Sequence, residues 1–197
     1  MPTAEDYQAI RDLTGRYNIA LDARDIKSIH AMFVDDVDMG VFGTGVEGTD
    51  AYYRHVMGTM GATWTVGGTH AITFQSESSA TGVYYCLADE QSLDDPPHWF
   101  VEHLAMFDRY ERHDGHWLFR DRDTRSWYVD SLNHPDRRPY VREIWDDRRR
   151  ARRLPEAWPA WEQFWSGPIG CPHDDGALAV EACMTKPGTD TGVARDR

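Results

Sequence analysis

Residues Trp99–Tyr128, WFVEHLAMFDRYERHDGHWLFRDRDTRSWY, decide the fold of this 197-residue chain. Two runs rich in aromatic and β-branched residues, Trp99–Arg112 and His116–Tyr128, flank Asp114-Gly115. Aspartate followed by glycine tolerates the left-handed backbone of a tight hairpin turn, so the stretch reads as two long antiparallel strands. The second run alternates Trp117, Phe119, Asp121, Asp123, Arg125 and Trp127 against Leu118, Arg120, Arg122, Thr124, Ser126 and Tyr128. Five charges in a strand flanked by aromatics are unusual for a plain core element. Strict alternation puts Arg122 and Arg125 on opposite faces, Arg125 pairing with Asp121 or Asp123. Glu102 and His103, as neighbours, cannot both point inward.

Towards the N-terminus, Gly82–Asp89 and Thr69–Ser76 read as two further strands, with Cys86 a buried strand residue. Before them the period changes from two to 3.6. Tyr7, Ile10, Thr14, Tyr17 and Leu21 recur at helical spacing behind a Thr3/Asp6 capping pair, which predicts an amphipathic helix over residues 4–22. Asp25 caps a second helix carrying Ile26, Ile29, His30 and Phe33 on one face, where His30 reads as structural. Residues 37–42 alternate like a strand, and a third helix starts at Thr49 or Asp50 and runs to about Met60. Helices followed by an antiparallel sheet define an α+β fold.

On the other side of the hairpin, composition turns to Pro, Arg and Trp after Asn133, with one more helix expected near Pro155–Trp165. The expected organisation is one domain over residues 1–133, an extension over 134–175 that packs on the domain or a neighbouring subunit, and a mobile tail over 176–197. A net charge of −12 and a pI near 5.1 argue against nucleic-acid binding. The basic run Arg148–Arg153 lies among acids and reads as a solvated helix face. No apolar stretch is long enough to span a bilayer, and the start MPTAEDYQAI carries no leader pattern, so a soluble, cytoplasmic protein is expected. Three cysteines at unrelated spacings suggest no disulfide framework, and Cys171-Pro-His173-Asp174 is too sparse for a zinc site. No glycine-rich phosphate loop or serine nucleophile motif is evident, so no cofactor is expected.

Several short patterns, taken in order, resemble the SnoaL-like branch of the nuclear-transport-factor-2-like superfamily. They are Ile10…Leu13…Tyr17…Ala20-Leu21-Asp22, then Phe33…Asp35-Asp36-Val37, then Thr69-His70, and finally Tyr110-Glu-Arg…Asp114-Gly115-His-Trp117. The likeness covers residues 4–128. It implies a curved antiparallel sheet wrapped by helices into a cone with a deep pocket. The separation of Asp22 from His70, and of Tyr17 from Asp22, resembles that of catalytic residues in dehydratase and dehydrochlorinase members. Arg122 falls at a position that lines the family pocket.

The chemistry so implied is proton transfer without a cofactor. His70 shares a strand face with Ile72 and Phe74 and looks into the apolar hollow. An imidazole is poised near neutral pH to take a proton, and a carboxylate neighbour fixes its tautomer. In this picture His70 is the base, Asp22 its orienting partner, Tyr17 the donor or acid, and Arg122 the holder of an oxygen. Tyr53, Met57 and Trp64 are expected as pocket walls. The expected activity is a lyase, eliminating water or halide or losing a small carbonyl fragment from an aromatic or polycyclic substrate. An isomerase or cyclase, a ligand-binding protein and an oxygenase β-subunit-like protein are the alternatives. Trp99, Phe107 and Trp127 on the convex face call for cover, so a homodimer or homotrimer is expected.

Overall fold

The computed structural model describes residues 1–131, and the expected helix near Pro155–Trp165, the Cys171 cluster and the tail lie outside them. Three helices come first: α1 (Ala4–Asp22), α2 (Ile26–His30) and α3 (Gly45–Met57), with a single 3-10 turn at Gly40–Phe42 before α3. Four strands follow, β1 (Thr63–Phe74), β2 (Ser79–Gln91), β3 (Trp99–His113) and β4 (His116–Ser131). They pair antiparallel in chain order, so the sheet is a meander and the fold is α+β.

The start of α1 is fixed by its capping box. Thr3 Oγ1 accepts from the Asp6 amide at 3.2 Å while the Asp6 carboxylate accepts from the Thr3 amide at 2.9 Å. The same carboxylate reaches the sheet, accepting from Trp117 Nε1 at 3.0 Å. Asp25 caps α2 as its side chain accepts from the Ser28 amide, but the helix lasts only five residues. Phe33 then forms a parallel bridge to Phe119, with the Val34 amide donating to the Phe119 carbonyl and the Phe119 amide to that of Met32. This stitch carries Phe33 into a buried aromatic cluster with Tyr17, Tyr53, Tyr110 and Phe119. Each large ring so buried contributes roughly 1.5–3 kcal/mol.

Two expectations change. Residues 37–42 make one isolated bridge, Asp38 to Thr44, instead of a strand. Gly40 and Gly43 adopt φ values of 67° and 100°, which turn the chain, and Asp38 Oδ1 takes the Gly40 amide at 2.7 Å. Helix α3 then begins at Gly45, four residues ahead of Thr49, and stops at Met57. Its first turn lies so close to the preceding loop that a Cβ on Gly48 would stand 2.5 Å from the Gly43 carbonyl.

Register sets what faces the helices. On β2 the inward series is Ala80, Gly82, Tyr84, Cys86, Ala88 and Glu90; on β3 it is Phe100, Glu102, Leu104, Met106, Asp108 and Tyr110. Three irregularities break strict alternation, one of them between His103 and Leu104, where Trp127 is the extra residue on β4. A shift between Gly67 and His70 keeps His70, Ile72 and Phe74 on the helix side. Another, opposite Arg109 and Tyr110, inserts Arg120 into β4, so Arg122 shares the inner face with Trp117 and Phe119.

Candidate active site

Three elements converge under α1. Its buried residues Tyr17 and Asn18 face the sheet, and its last residue, Asp22, reaches the beginning of β1. A cavity of about 60 Å³ lies between α1, α3 and strands β1–β4, with Tyr17, Tyr53, Met57, Glu102, Leu104 and Thr124 among its walls. Tyr53 and Met57, expected as pocket walls, line this cavity. Trp64 does not: Thr63 and Thr65 occupy the inward positions, and Trp64 between them is 65% exposed on the other face.

Arg122 lies wholly inside the fold. Its guanidinium grips Asp108 with two bonds, Nε to Oδ1 at 2.8 Å and Nη2 to Oδ2 at 2.7 Å. Its carbon end sits 4.2 Å from the Tyr17 ring centre and 4.1 Å from that of Phe119, a cation held by two π faces. Nη1 is buried and has no hydrogen-bond partner. Above it, the Tyr17 and Tyr53 hydroxyls are 2.9 Å apart. Burial pushes the Tyr17 phenol up to about 12, against the pull of Arg122. Tyr53 is raised as well, chiefly by burial. The pair is therefore protonated at neutral pH. One hydrogen joins the two oxygens and the second is available to another acceptor.

His70 is tied into the same network from the far side. Tyr110 donates its hydroxyl hydrogen to Asp108 Oδ2 at 2.6 Å, and His70 Nε2 lies 3.1 Å from the Tyr110 oxygen. Since that hydrogen is committed to Asp108, Nε2 must be the donor, which assigns the Nε2–H tautomer and leaves Nδ1 as the basic nitrogen. Burial pulls the His70 imidazole down to about 4, with Arg122 and Arg11 adding to the shift and Asp108 opposing it. It is neutral at pH 7.

The hydrogen bond expected from Asp22 to His70 is not formed. Asp22 instead accepts from Thr63 Oγ1 at 2.9 Å, Thr65 Oγ1 at 3.0 Å and the Thr65 amide at 2.8 Å. Arg24, held in a left-handed conformation with φ 59°, completes this junction by donating to Thr63 Oγ1 at 2.8 Å and to the Leu21 and Gly61 carbonyls. Two threonines on β1 satisfy Asp22 before it can reach the histidine. The carboxylate that backs His70 is Asp108, acting through Tyr110.

His70 does not line that cavity, and neither does Tyr84. Tyr84 pairs with His70 across the strands, with ring centres 5.3 Å apart, and its hydroxyl fills the space over Gly67, where a Cβ would come within 2.3 Å. Asn18 Nδ2 holds that hydroxyl at 2.7 Å, while Asn18 Oδ1 is buried without a partner. Asp108, Tyr84 and Asn18 were not singled out from sequence, and Tyr110 entered only as part of the family pattern, with no role at the site. The signal for two of them was present: Asp108 and Tyr110 share the inward period of β3 with Glu102.

Glu102 points inward and His103 lies on the opposite face. Arg125 pairs with Asp123 at 2.7 Å and covers the Phe107 ring. Among the described residues no cluster of His, Cys, Asp or Glu is arranged to hold a metal, and no helix is long and apolar enough to cross a membrane.

The sequence profile of the SnoaL-like domain matches residues 2–123, and the chain belongs to that family. No curated protein matches it in sequence. Among solved structures it is similar to a putative scytalone dehydratase from Novosphingobium aromaticivorans, at 23% identity and a TM-score of 0.58, covering 70% of this chain and 89% of that one. It is also similar to a LinA-type hexachlorocyclohexane dehydrochlorinase from Novosphingobium barchaimii, at 22% identity and a TM-score of 0.58, covering 65% and 90%. A protein of unknown function from Mycobacterium tuberculosis aligns at 16% identity with a TM-score of 0.55, covering 76% and 89%. Likeness at these identities establishes the shared fold: helices packed on a curved antiparallel sheet.

Proposed function

We propose that this chain is a cofactor-independent lyase that removes a proton and eliminates water or halide from a small aromatic or polycyclic substrate. The observation that carries the reading is a neutral His70 anchored through Nε2 to Tyr110 and Asp108, with Nδ1 left to accept a proton. A base of this kind must be unprotonated at working pH and held in one tautomer, and both conditions are met. The acid is a separate group, the Tyr17–Tyr53 hydroxyl pair on the cavity wall. Two distinct groups suit elimination. Nδ1 takes the C–H proton, the C–H electron pair becomes the new C=C bond, and the hydroxide or halide departs with a hydrogen bond or proton from the tyrosine pair. Arg122, stacked under Tyr17, favours negative charge developing there. Asp22 acts as a positioning residue by fixing the end of α1 to β1.

The substrate enters a narrow, apolar cavity, and the unbranched side chains Met57 and Met60 can shift to admit a ring. Tyr84 then turns aside from Gly67 to join the cavity to His70. The test is incubation of the protein with hydroxylated and halogenated ring compounds under mass detection, followed by variants on any substrate found. His70→Ala is expected to lower kcat by about a hundredfold or more. Undiminished turnover by that variant would remove His70 from the mechanism. Tyr17→Phe is expected to slow elimination of poor leaving groups more than good ones.

A further inference from the structure

One buried acid takes no part in this chemistry. Glu102, on β3, is 3% exposed and lines the cavity beside Tyr17, Leu104, Met106 and Thr124. Among the described residues its carboxylate accepts no hydrogen bond and faces no ion-pair partner. The nearby cations are committed elsewhere: Arg122 to Asp108 on both oxygens, and Arg24 to Thr63 and two backbone carbonyls. A carboxylate withdrawn from water without donors is costly, whereas a donor brought to it in the same dry space is held more strongly than at a surface.

We infer that Glu102 is a specificity residue that accepts a hydrogen bond from a hydroxyl on the bound ring, so that the cavity selects neutral, hydroxylated rings and rejects carboxylated ones. This rests on reading the cavity as the substrate site. The oxygen it recognises differs from the one that leaves. Glu102 lies on the sheet side of the cavity and the Tyr17–Tyr53 pair on the helix side, which orients the guest between an acceptor and a donor. Glu102 repels a carboxylate guest, and the cation among the cavity's lining residues, Arg24, is held by Thr63 and two backbone carbonyls.

The experiment is an NMR titration of the full chain with p-cresol, toluene and benzoate, following the methyl groups of Met57 and Met60. In the wild type, p-cresol is expected to bind about tenfold more tightly than toluene, the gain of one hydrogen bond to a charged acceptor, with benzoate weakest. Glu102→Leu should erase the preference and tighten toluene, and Glu102→Gln should keep part of it through the amide oxygen. Equal affinities for p-cresol and toluene, benzoate binding as tightly as p-cresol, or no perturbation of either methionine by any of the three would each overturn the inference. The wild-type ratios decide this even if the leucine variant does not fold. His70→Ala should leave the ratios unchanged while losing turnover, so failure at Glu102 and failure at His70 are separately visible.

Discussion

Two aspartates do different work: Asp22 beside the start of β1, and Asp108 on β3, joined to His70 through Tyr110. Asp22 is half-buried and accepts three hydrogen bonds from neutral donors of Thr63 and Thr65. Asp108 is 2% exposed and meets a guanidinium that is itself buried, along with the Tyr110 hydroxyl. The first arrangement fastens a helix to a strand and tolerates solvent. The second keeps two charges out of water, and each needs the other. The lesson is that the acid suggested by chain position and the acid that serves the imidazole are different residues, separated by what satisfies each carboxylate first.

The largest effect should come from breaking the buried pair. Asp108→Ala leaves Arg122 charged and without its acceptor, and should cost about 3–5 kcal/mol in urea unfolding. Replacing both partners, Asp108→Leu with Arg122→Met, should cost far less than the sum of the single changes. A simple sum would mean that the pair does not act as a unit. Asp22→Ala should lower stability by about 1–3 kcal/mol, since it strands the Thr65 amide, and Asp22→Asn should recover part of that through its remaining carbonyl oxygen. An Asp22→Ala loss as large as that of Asp108→Ala would erase the contrast between the two aspartates.

Acid sharpens the same comparison. The His70 imidazole lies near 4 in the folded protein against 6.5 for the free group. Above about pH 6.5 both folded and unfolded chains hold it neutral and it has no effect. As pH falls from 6.5 towards 4 the unfolded chain takes a proton that the folded one refuses, so stability is lost through that window. The urea midpoint of the wild type should therefore drop more between pH 7 and pH 5 than that of His70→Gln. For the same reason the acid limb of kcat/KM should fall near pH 4 instead of near 6.5. The smallest effect belongs to the exposed cap of α2: Asp25→Ala should cost about 0.5–1 kcal/mol in the same assay, because only the Ser28 contacts are lost.

Much of the fold was legible. The helical period of Tyr7 to Leu21, the Thr3/Asp6 capping pair, the Asp25 cap and the Asp114-Gly115 turn are local patterns, and local patterns survive into the structure. The first strand was underestimated because Thr63–Gly68 contains two glycines, which weaken a strand signal until β2 supplies the pairing partner. Residues 37–42 failed the other way: their alternation was real, but Gly40 and Gly43 use it to turn.

The site was half legible. Period and resemblance named Tyr17 and His70 as candidates, and the structure puts Tyr17 on the cavity wall and His70 against Tyr110. The union of His70 with Tyr110 and Asp108 could not be read in that way, because it depends on bulges whose positions no local pattern reports. Sequence by itself determined the order of helices and strands and the family, since these follow from periodicity and turn chemistry within a few residues. Only the tertiary structure decided that Arg122 turns inward past the extra residue Arg120, that Thr63 and Thr65 claim Asp22, that Tyr84 stands over Gly67, and that Glu102 is buried with no donor among the described residues. Hydrogen bonds between distant strands are settled by register and by competition among donors, and neither exists until the sheet has formed.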